Sequence, residues 1–455
     1  MSVALPSELD FSLPASLPDN KSYEIRTQPT NGATFTSTTG GSVIQLSLPL
    51  LQRSFYESNT TYLTGRIAIV ASVDASAAPV SAIYLNPAGI YGAFSRLTVR
   101  SAAGQTLDDI SQPGVICNML LKAGLTFSER TSCANTMLLN ERGDNSNLGL
   151  SVNIDNLPGQ ERVLDFTMPL IGLLNMTKYL PAYGTELIIE LTLASASAFA
   201  PVVNGNAATI SSMTFTNLEL VSQVLEFSPS AFQMVQAQYP DKIVLKSETY
   251  SYGASTIAGS TVGTVDIPFN IRVNSLKRLL MAVSPSNVLE GVGYGSVNPN
   301  ANGIQFVSNG VQYPQRAVQC ARPAEVYAQF QKAFGGLYSA DKTGSIPISG
   351  FRRASTAYVT DVYAAYTPLV AATVDKLPAA IAAPNSWYFM LDLEALSNHK
   401  DSLYNGVNTT GSSANYIRVD IQTALAATPH SVNYFSCHDI LLNIDLVSGI
   451  VSTIV

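Results

Sequence analysis

Two segments with the same helix start and stop signals recur in this chain at an interval of 210 residues. The first segment begins at Pro113 and is followed by Gly124, and the second begins at Pro323 and is followed by Gly335. Proline in the first turn and glycine after the last turn are the usual punctuation of a helix. Helices of equal length and punctuation at a domain-sized interval predict that the chain contains one fold twice.

Landmarks on either side of these helices repeat in the same order. The first-half segments are Leu46–Pro49, Val99–Leu107, Phe166–Met168, Leu170–Leu174, Leu187–Leu193 and Leu218–Val221. Their second-half counterparts are Val265–Pro268, Ile304–Tyr313, Trp387–Leu391, Leu393–Leu396, Tyr416–Ile421 and Ile440–Leu446. We expect short helical turns at Leu170–Leu174 and Leu393–Leu396, and strands elsewhere. The offsets vary as loops of different length would make them vary, while the order is kept.

Outside the two helices, the sequence pattern is that of β-structure. Short alternating or apolar runs such as Val43–Leu48, Tyr62–Val70 and Phe94–Arg100 are separated by turns rich in Gly, Asn and Ser. This pattern is typical of sandwiches and barrels. Each half contains about eight strands, with a helix after roughly the fourth. We therefore predict an all-β fold of two tandem eight-stranded jelly rolls with a few short helices.

The same landmarks predict the domain organisation. Residues 1–20 are rich in proline and lack periodicity, which predicts an N-terminal arm that is either disordered or docked on a neighbouring subunit. Residues 21–227 are expected to form the first jelly roll and residues 243–455 the second. The linker, residues 228–242, is expected to be a short helix or a bent segment. A long insertion at residues 337–385 is expected to be functional or packed on a partner.

Composition limits the classes of partner. Charged residues make up 13% of the chain, against ~25% in ordinary soluble domains. A large core explains part of this shortfall, and coverage of the surface by other subunits would explain the rest. The net charge is −7 and no basic cluster occurs. Direct, sequence-specific binding of nucleic acid is therefore not expected, because it needs several convergent Lys or Arg residues.

The cysteines and the N-terminus indicate where the chain is made. The four cysteines show no repeated spacing, so free thiols in a reducing compartment are expected. The N-terminus has no basic region, and Glu8 and Asp10 interrupt its apolar residues, so no signal peptide is expected. No apolar run reaches the ~20 residues that span a bilayer. We expect a product made inside the cell without its own membrane anchor.

The histidines do not indicate a metal enzyme. A jelly-roll metal site needs clustered histidines plus a carboxylate and usually begins with His-x-His, which is absent from the sequence. Only His399, His430 and His438 occur. Their spacing leaves open a metal site formed by His430, Cys437 and His438, although turn or edge positions are the preferred interpretation.

Other short motifs are interpreted as coincidences. Ser397–Lys400 matches Ser-x-x-Lys and Lys342–Gly344 matches Lys-Thr-Gly, but their order is reversed relative to penicillin-recognising enzymes and the Ser-Asp-Asn element is missing. Gly291–Gly295 resembles a phosphate-binding loop without the basic residue or helix that should follow it. We predict no catalytic, cofactor-binding or metal-binding residues. The alternative function is a tandem β-sandwich that binds carbohydrate through aromatic residues, although Trp387 is interpreted as a core residue.

Several segments carry a resemblance to a known family. They are Ile267-Pro268 followed by Ser275–Val283, then Asn309–Pro314 with its Tyr-Pro before a helix, and Ser402–Thr409. With the tandem repeat, they resemble the double-jelly-roll major capsid proteins of the adenovirus-hexon lineage, most of all those of polinton-like viruses and virophages. The resemblance covers residues 20–455 and is strongest in residues 260–455.

The resemblance implies a structural role in a DNA virus. Such proteins form homotrimers with a pseudo-hexagonal outline, and the trimers tile an icosahedral capsid in the virion. The implied partners are further copies of the chain, neighbouring trimers, and penton and minor capsid proteins, while the presence of an internal membrane stays open. The insertion at 337–385 and the glycine-rich loop at 288–303 would be candidates for the outer crown or the trimer seam.

Overall fold

The structure is a computed structural model. It describes residues 19–72, 82–85, 88–139, 151–152, 161–184, 186–199, 202–204, 209–285, 296, 298–334, 387–396, 403–411, 414–422, 429–446 and 450–454. The insertion at 337–385 and nearly all of the N-terminal arm lie outside these residues, as does most of the loop at 288–303.

The first half is built almost entirely from strands, as its alternating pattern predicts. These are β1 (Asn20–Thr27), β2 (Thr34–Ser37), β3 (Val43–Leu48), β4 (Ser54–Ser72), β5 (Ala82–Tyr84), β6 (Phe94–Ser101), β7 (Thr106–Ser111), β8 (Ser151–Val152), β9 (Glu161–Pro169), β10 (Leu180–Pro181), β11 (Leu187–Leu193), β12 (Val202–Asn204) and β13 (Thr209–Phe227). The helices are α1 (Pro113–Gly124), α2 (Phe127–Met137) and α3 (Ala196–Phe199), with 3-10 turns at Gly89–Ala93 and Gly172–Leu174.

The second half follows the helix α4 (Pro229–Gln238). Its strands are β14 (Lys242–Ile257), β15 (Gly263–Pro268), β16 (Leu276–Pro285), β17 (Ala301–Ser308), β18 (Val311–Gln319), β19 (Tyr388–Asp392), β20 (Tyr416–Ile421), β21 (His430–Asp445) and β22 (Val451–Ile454). The helix α5 (Pro323–Ala333) lies between β18 and β19. Ser228 caps α4 by accepting a hydrogen bond from the Ala231 amide, so of the short helix and the bent segment expected there, the structure has the helix.

The two halves share one strand order. In the first half, one sheet has the order β1-β13-β4-β9 and the other has the order β3-β11-β6-β7. In the second half, the sheets are β14-β21-β16-β19 and β15-β20-β17-β18. If the eight main strands of each half are numbered along the chain, both halves give 1-8-3-6 and 2-7-4-5. The prediction of two tandem eight-stranded jelly rolls is confirmed, and we call them the first roll and the second roll.

The two punctuated helices occupy equivalent places. α1 begins at Pro113 and follows β7, and α5 begins at Pro323 and follows β18. Both therefore come after the fifth main strand of their roll, one strand later than the position expected from the sequence. The hairpins β6–β7 and β17–β18 turn at Gly104 and Gly310, and both glycines have positive φ, a conformation that favours glycine.

One local prediction is wrong, and one helix was missed. The segment Leu393–Leu396 is a bend rather than a helical turn, because Asn405 holds it from outside: the Ala395 amide donates to the Asn405 carbonyl, and the Leu396 amide donates to Asn405 Oδ1. The helix α2 was not predicted, since its residues form no apolar stripe. Its start is marked instead by a capping box, in which Thr126 Oγ1 and the Glu129 carboxylate accept from each other's backbone amides.

The hydrophobic core runs through both rolls without a break. In the first roll, Phe215 packs against Phe94 and Phe166. In the second roll, Phe269 packs against Phe306 and Tyr434. Among the described residues, no helix has the length and apolar character needed to cross a membrane.

Candidate functional site

The residues considered for a metal site do not converge. His430 and His438 lie on the same strand, β21, eight residues apart, which separates them by ~27 Å. Cys437 and His438 are adjacent on that strand and point to opposite faces of the sheet. Burial lowers the pKa of His438 to about 4 and raises that of Cys437 to about 12. A metal site formed by these three residues is therefore ruled out by their positions.

The remaining candidates fall outside the described residues or inside the core. His399, Ser397–Lys400, Lys342–Gly344 and Gly291–Gly295 lie outside the described residues. Trp387 is fully buried, which confirms its interpretation as a core residue and removes it as a platform for a sugar. Within the described ranges, no group of three or more His, Cys, Asp or Glu side chains could hold a metal ion.

A buried ionic cluster, which the sequence did not predict, lies where β14, β16 and β21 meet. A β-bulge in β16 pairs Leu276 with His438 and Arg278 with Cys437, leaving Lys277 as the extra residue. A bulge re-aims the side chains of its strand. Here it lets Lys277 reach Asp439 on the neighbouring strand β21 and, beyond that strand, Glu248 on β14.

The ionic cluster contains three cations and three carboxylates. They are Lys246, Lys277, Arg278, Glu248, Glu394 and Asp439. Lys277 Nζ lies 2.7 Å from Glu248 Oε1 and 2.9 Å from Asp439 Oδ1, and the Lys277 and Asp439 side chains are 1% and 0% exposed. Burial by itself lowers the pKa of Lys277, but the bonds and charges of Glu248 and Asp439 outweigh it and raise the pKa. The cluster is a balanced structural network that ties β14 to the rest of the second roll.

The second roll meets the first roll through β14. β14 and β22 pack against β7, and β14 also packs against the turn Gly172–Leu174. At the centre of this contact is Asp108, a buried carboxylate on β7. It accepts hydrogen bonds from Thr249 Oγ1 of β14, from the Leu173 amide at 2.8 Å and from the Asp109 amide at 2.9 Å.

Three hydrogen bonds hold the Asp108 carboxylate. Burial raises the pKa of Asp108 to about 6, and the bonds from Thr249, Leu173 and Asp109 limit the rise. The glycine at position 172 allows the turn Gly172–Leu174 to lie close to Asp108. Its φ is +75°, and a Cβ there would overlap both Asp108 Oδ2 and Ile110 Cδ1.

A second set of contacts joins the rolls through α1. Asn118 Nδ2 donates to Tyr388 Oη at 3.0 Å, and both residues are buried. Lys122 Nζ lies 5.6 Å from the centroid of the Tyr388 ring, within the range of a cation–π interaction. The two rolls are thus joined by specific polar contacts as well as by the continuous core.

In the second roll, the edge that corresponds to β7 is β18, and none of the described residues covers it in the way that β14 covers β7. A groove of about 570 Å³ lies between β18 and the loops after β19, and its lining includes Val311, Tyr313, Leu393, Glu394 and Val407. Val311 is 52% exposed, and Leu396, Leu403 and Tyr404 are also exposed large apolar residues. Polar residues, among them Asn309 and Asn405, also line the groove, so its surface is mixed, with exposed apolar residues that another protein segment could cover.

Comparison with known proteins identifies the fold. No family model matches the sequence, and no curated protein sequence matches it. Among solved structures, the crystal structure of VP54 of the virus PBCV-1 is similar over 97% of this chain and 98% of its own, with 11% identity and a TM-score of 0.60. The major capsid protein of Faustovirus is similar over 96% and 92% of the two chains, with 10% identity and a TM-score of 0.58.

The major capsid protein of mavirus is similar over 100% of this chain and 95% of its own, with 12% identity and a TM-score of 0.54. The fold is the double jelly roll. This agrees with the strand orders of the two rolls, and it confirms the fold that the sequence resemblance implied. At these low identities the similarity extends to the fold, so function has to be argued separately.

Proposed function

We propose that this double-jelly-roll chain is a major capsid protein, a structural and non-catalytic component of the virion of a DNA virus. The observation that carries the proposal is the double jelly roll itself, which major capsid proteins of Faustovirus and mavirus match over more than nine tenths of both chains. Copies of the chain would form homotrimers, whose six rolls give a pseudo-hexagonal capsomer. The capsomers would tile an icosahedral shell.

The domain division follows from the same proposal. The arm would comprise residues 1–20, the first roll residues 21–227, the linker residues 228–242 and the second roll residues 243–455. This is supported by β13 ending at Phe227, by α4 at Pro229–Gln238 and by β14 beginning at Lys242.

The proposed partners are other copies of the chain, neighbouring trimers, and penton and minor capsid proteins. The low content of charged residues, 13%, supports a surface that is covered in an assembly. The acidic net charge gives no support for direct sequence-specific binding of nucleic acid. The protein would be made inside the infected cell and would reside in the capsid.

Negative-stain electron microscopy of the purified full chain tests this proposal. We expect particles with a hexagonal outline, and sheets or shells of such particles at high concentration. Single particles the size of one chain, with no assemblies at any concentration, would overturn it.

A further inference from the structure

The contact between the rolls uses two different surfaces. The first roll contributes β7 and the turn Gly172–Leu174, and the second roll contributes β14. A contact between two different surfaces is heterologous, and it can be repeated from one unit to the next. Because the rolls share one strand order, each roll also carries the counterpart of the surface that the other roll uses.

The counterpart of β14 on the first roll is β1. Each is the first main strand of its roll, and each pairs antiparallel with the last one. Tyr23 on β1 lies opposite the buried Val224, just as Ser247 on β14 lies opposite the buried Ile440. Tyr23 and Ser247 are therefore on corresponding sides. Ser247 is 6% exposed and Tyr23 is 38% exposed, so none of the described residues covers Tyr23 as the first roll covers Ser247. We call Lys21, Tyr23 and Ile25 the β1 surface.

The counterpart of β7 on the second roll is β18, which borders the groove. Asp108 on β7 lies opposite Val99, and Tyr313 on β18 lies opposite Phe306 in the corresponding hairpin. The groove therefore occupies the place in the second roll where β14 sits against the first roll. Inside one chain, nothing among the described residues fills it.

We infer that the β1 surface of one copy docks in the groove of a second copy. This repeats between chains the contact that β14 makes within one chain, with Tyr23 and Ile25 packing against Val311 and Tyr313. The inference rests on the proposed function, because a closed ring of three chains would pair every β1 surface with a groove. In such a ring, contacts within chains and contacts between chains alternate around the six rolls.

Two single substitutions test the docking, each at an exposed apolar residue of one surface. Tyr23→Asp alters only the β1 surface, and Val311→Asp alters only the groove. We expect each variant to associate roughly tenfold or more weakly than the wild type, as loss of an apolar anchor at an interface does. Native mass spectrometry and sedimentation velocity give the measurement. Val262→Asp is the matched control, because Val262 is 61% exposed in the turn after β14, and it should assemble like the wild type.

Mixing the two variants tests the heterologous geometry. An equimolar mixture retains one intact pairing, the β1 surface of the Val311→Asp chain with the groove of the Tyr23→Asp chain. At a concentration where each variant alone is monomeric, we therefore expect the mixture to contain a one-to-one heterodimer. A mixture without heterodimer up to the highest concentration at which each variant alone stays monomeric would overturn the pairing of these two surfaces.

The outcomes separate this inference from the proposed function. A wild-type chain that is monomeric counts against both. A wild-type trimer whose Tyr23→Asp and Val311→Asp variants are also trimers overturns the docking and leaves the proposed function standing. Urea unfolding checks that each variant is folded, and Tyr23→Ser with Val311→Ser takes the place of any variant that is not.

Discussion

The two rolls have the same strand order, but their equivalent edges differ. At β7 of the first roll, β14 covers the edge, Asp108 and Thr249 bond across it, and Gly172 allows the close approach. At β18 of the second roll, the equivalent edge borders an open groove, and Val311 is exposed. Among the described residues, only one of the two repeated contacts is made within the chain. Under the docking inferred above, another copy of the chain makes the second contact.

The largest expected effect comes from the ionic cluster that holds β14, the covering strand, in place. Lys277→Met removes the central cation and leaves Asp439 buried beside the more distant Lys246. Breaking a buried ion pair from one side costs about 3–5 kcal/mol, so we expect a loss of that order in the free energy of unfolding by urea.

Arg418→Met is the control for Lys277→Met. Arg418 pairs with Asp266 at 2.8 Å on the surface, with both side chains more than a third exposed. Exposed pairs contribute about 0–1 kcal/mol, so this variant should unfold almost like the wild type. Equal losses for both variants would show that the cluster does not hold the covering strand.

Gly172→Ala tests the edge of the first roll at which β14 covers β7. The added Cβ would overlap Asp108 and Ile110, and φ at this position is +75°. We expect a loss of about 3 kcal/mol in the free energy of unfolding, from strain and from separation of β14 from β7. Gly104→Ala measures the cost of backbone strain alone, since φ is +85° and a Cβ there meets nothing within 4 Å. It should cost only about 1 kcal/mol, and equal costs at the two glycines would contradict close packing at the edge.

The closed edge should also respond to pH through Asp108. Its pKa in the folded chain is raised to about 6, above the ~3.9 of an unfolded chain. The folded state then binds more protons than the unfolded state between these values, so the contribution of Asp108 to stability is present below pH ~4 and lost as pH rises through about 6. The loss is on the order of 2–3 kcal/mol.

Asp108→Asn removes this titration while keeping a side chain of the same size. The unfolding free energy of the wild type minus that of the variant should decrease as the pH is raised from 4 to 7. A difference that stays constant across this range would mean that Asp108 does not titrate in the contact.

The smallest expected effect is at the second contact between the rolls, Asn118 with Tyr388. A double-mutant cycle of Asn118→Ala and Tyr388→Phe should give a coupling energy of about 1 kcal/mol, typical of one hydrogen bond. Asn118→Ala and Tyr252→Phe form the matched pair without mutual contact, because Tyr252 bonds to Asn433. If the second cycle gave an equally large coupling energy, the first cycle would not be measuring the Asn118–Tyr388 hydrogen bond.

The sequence predicted the features that are encoded locally and repeated. Proline and glycine punctuation gave α1 and α5, and alternation gave strands such as β3 and β11, so that the double jelly roll could be predicted from their common order. The capping box of Thr126 and Glu129 was also visible and would have predicted α2. A polar helix without an apolar stripe is missed when only hydrophobic periodicity is considered.

The features that the sequence did not predict depend on partners far away in the chain. In the sequence, Lys277 has the pattern of an ordinary strand residue. Only the bulge opposite His438 and Cys437 brings its side chain to Asp439. Asp108 accepts a hydrogen bond from Thr249, which is 141 residues away in the chain. The bend at Leu393–Leu396 was wrongly predicted as a helical turn, because Asn405 supplies hydrogen bonds that its local sequence does not reveal.

If other copies of the same chain complete the edge at β18, the purified full chain is a trimer in solution. Light scattering at micromolar concentration measures its molar mass. We expect a mass about three times that of one 48.4 kDa chain. A mass of one chain that does not change as the concentration is raised would contradict it.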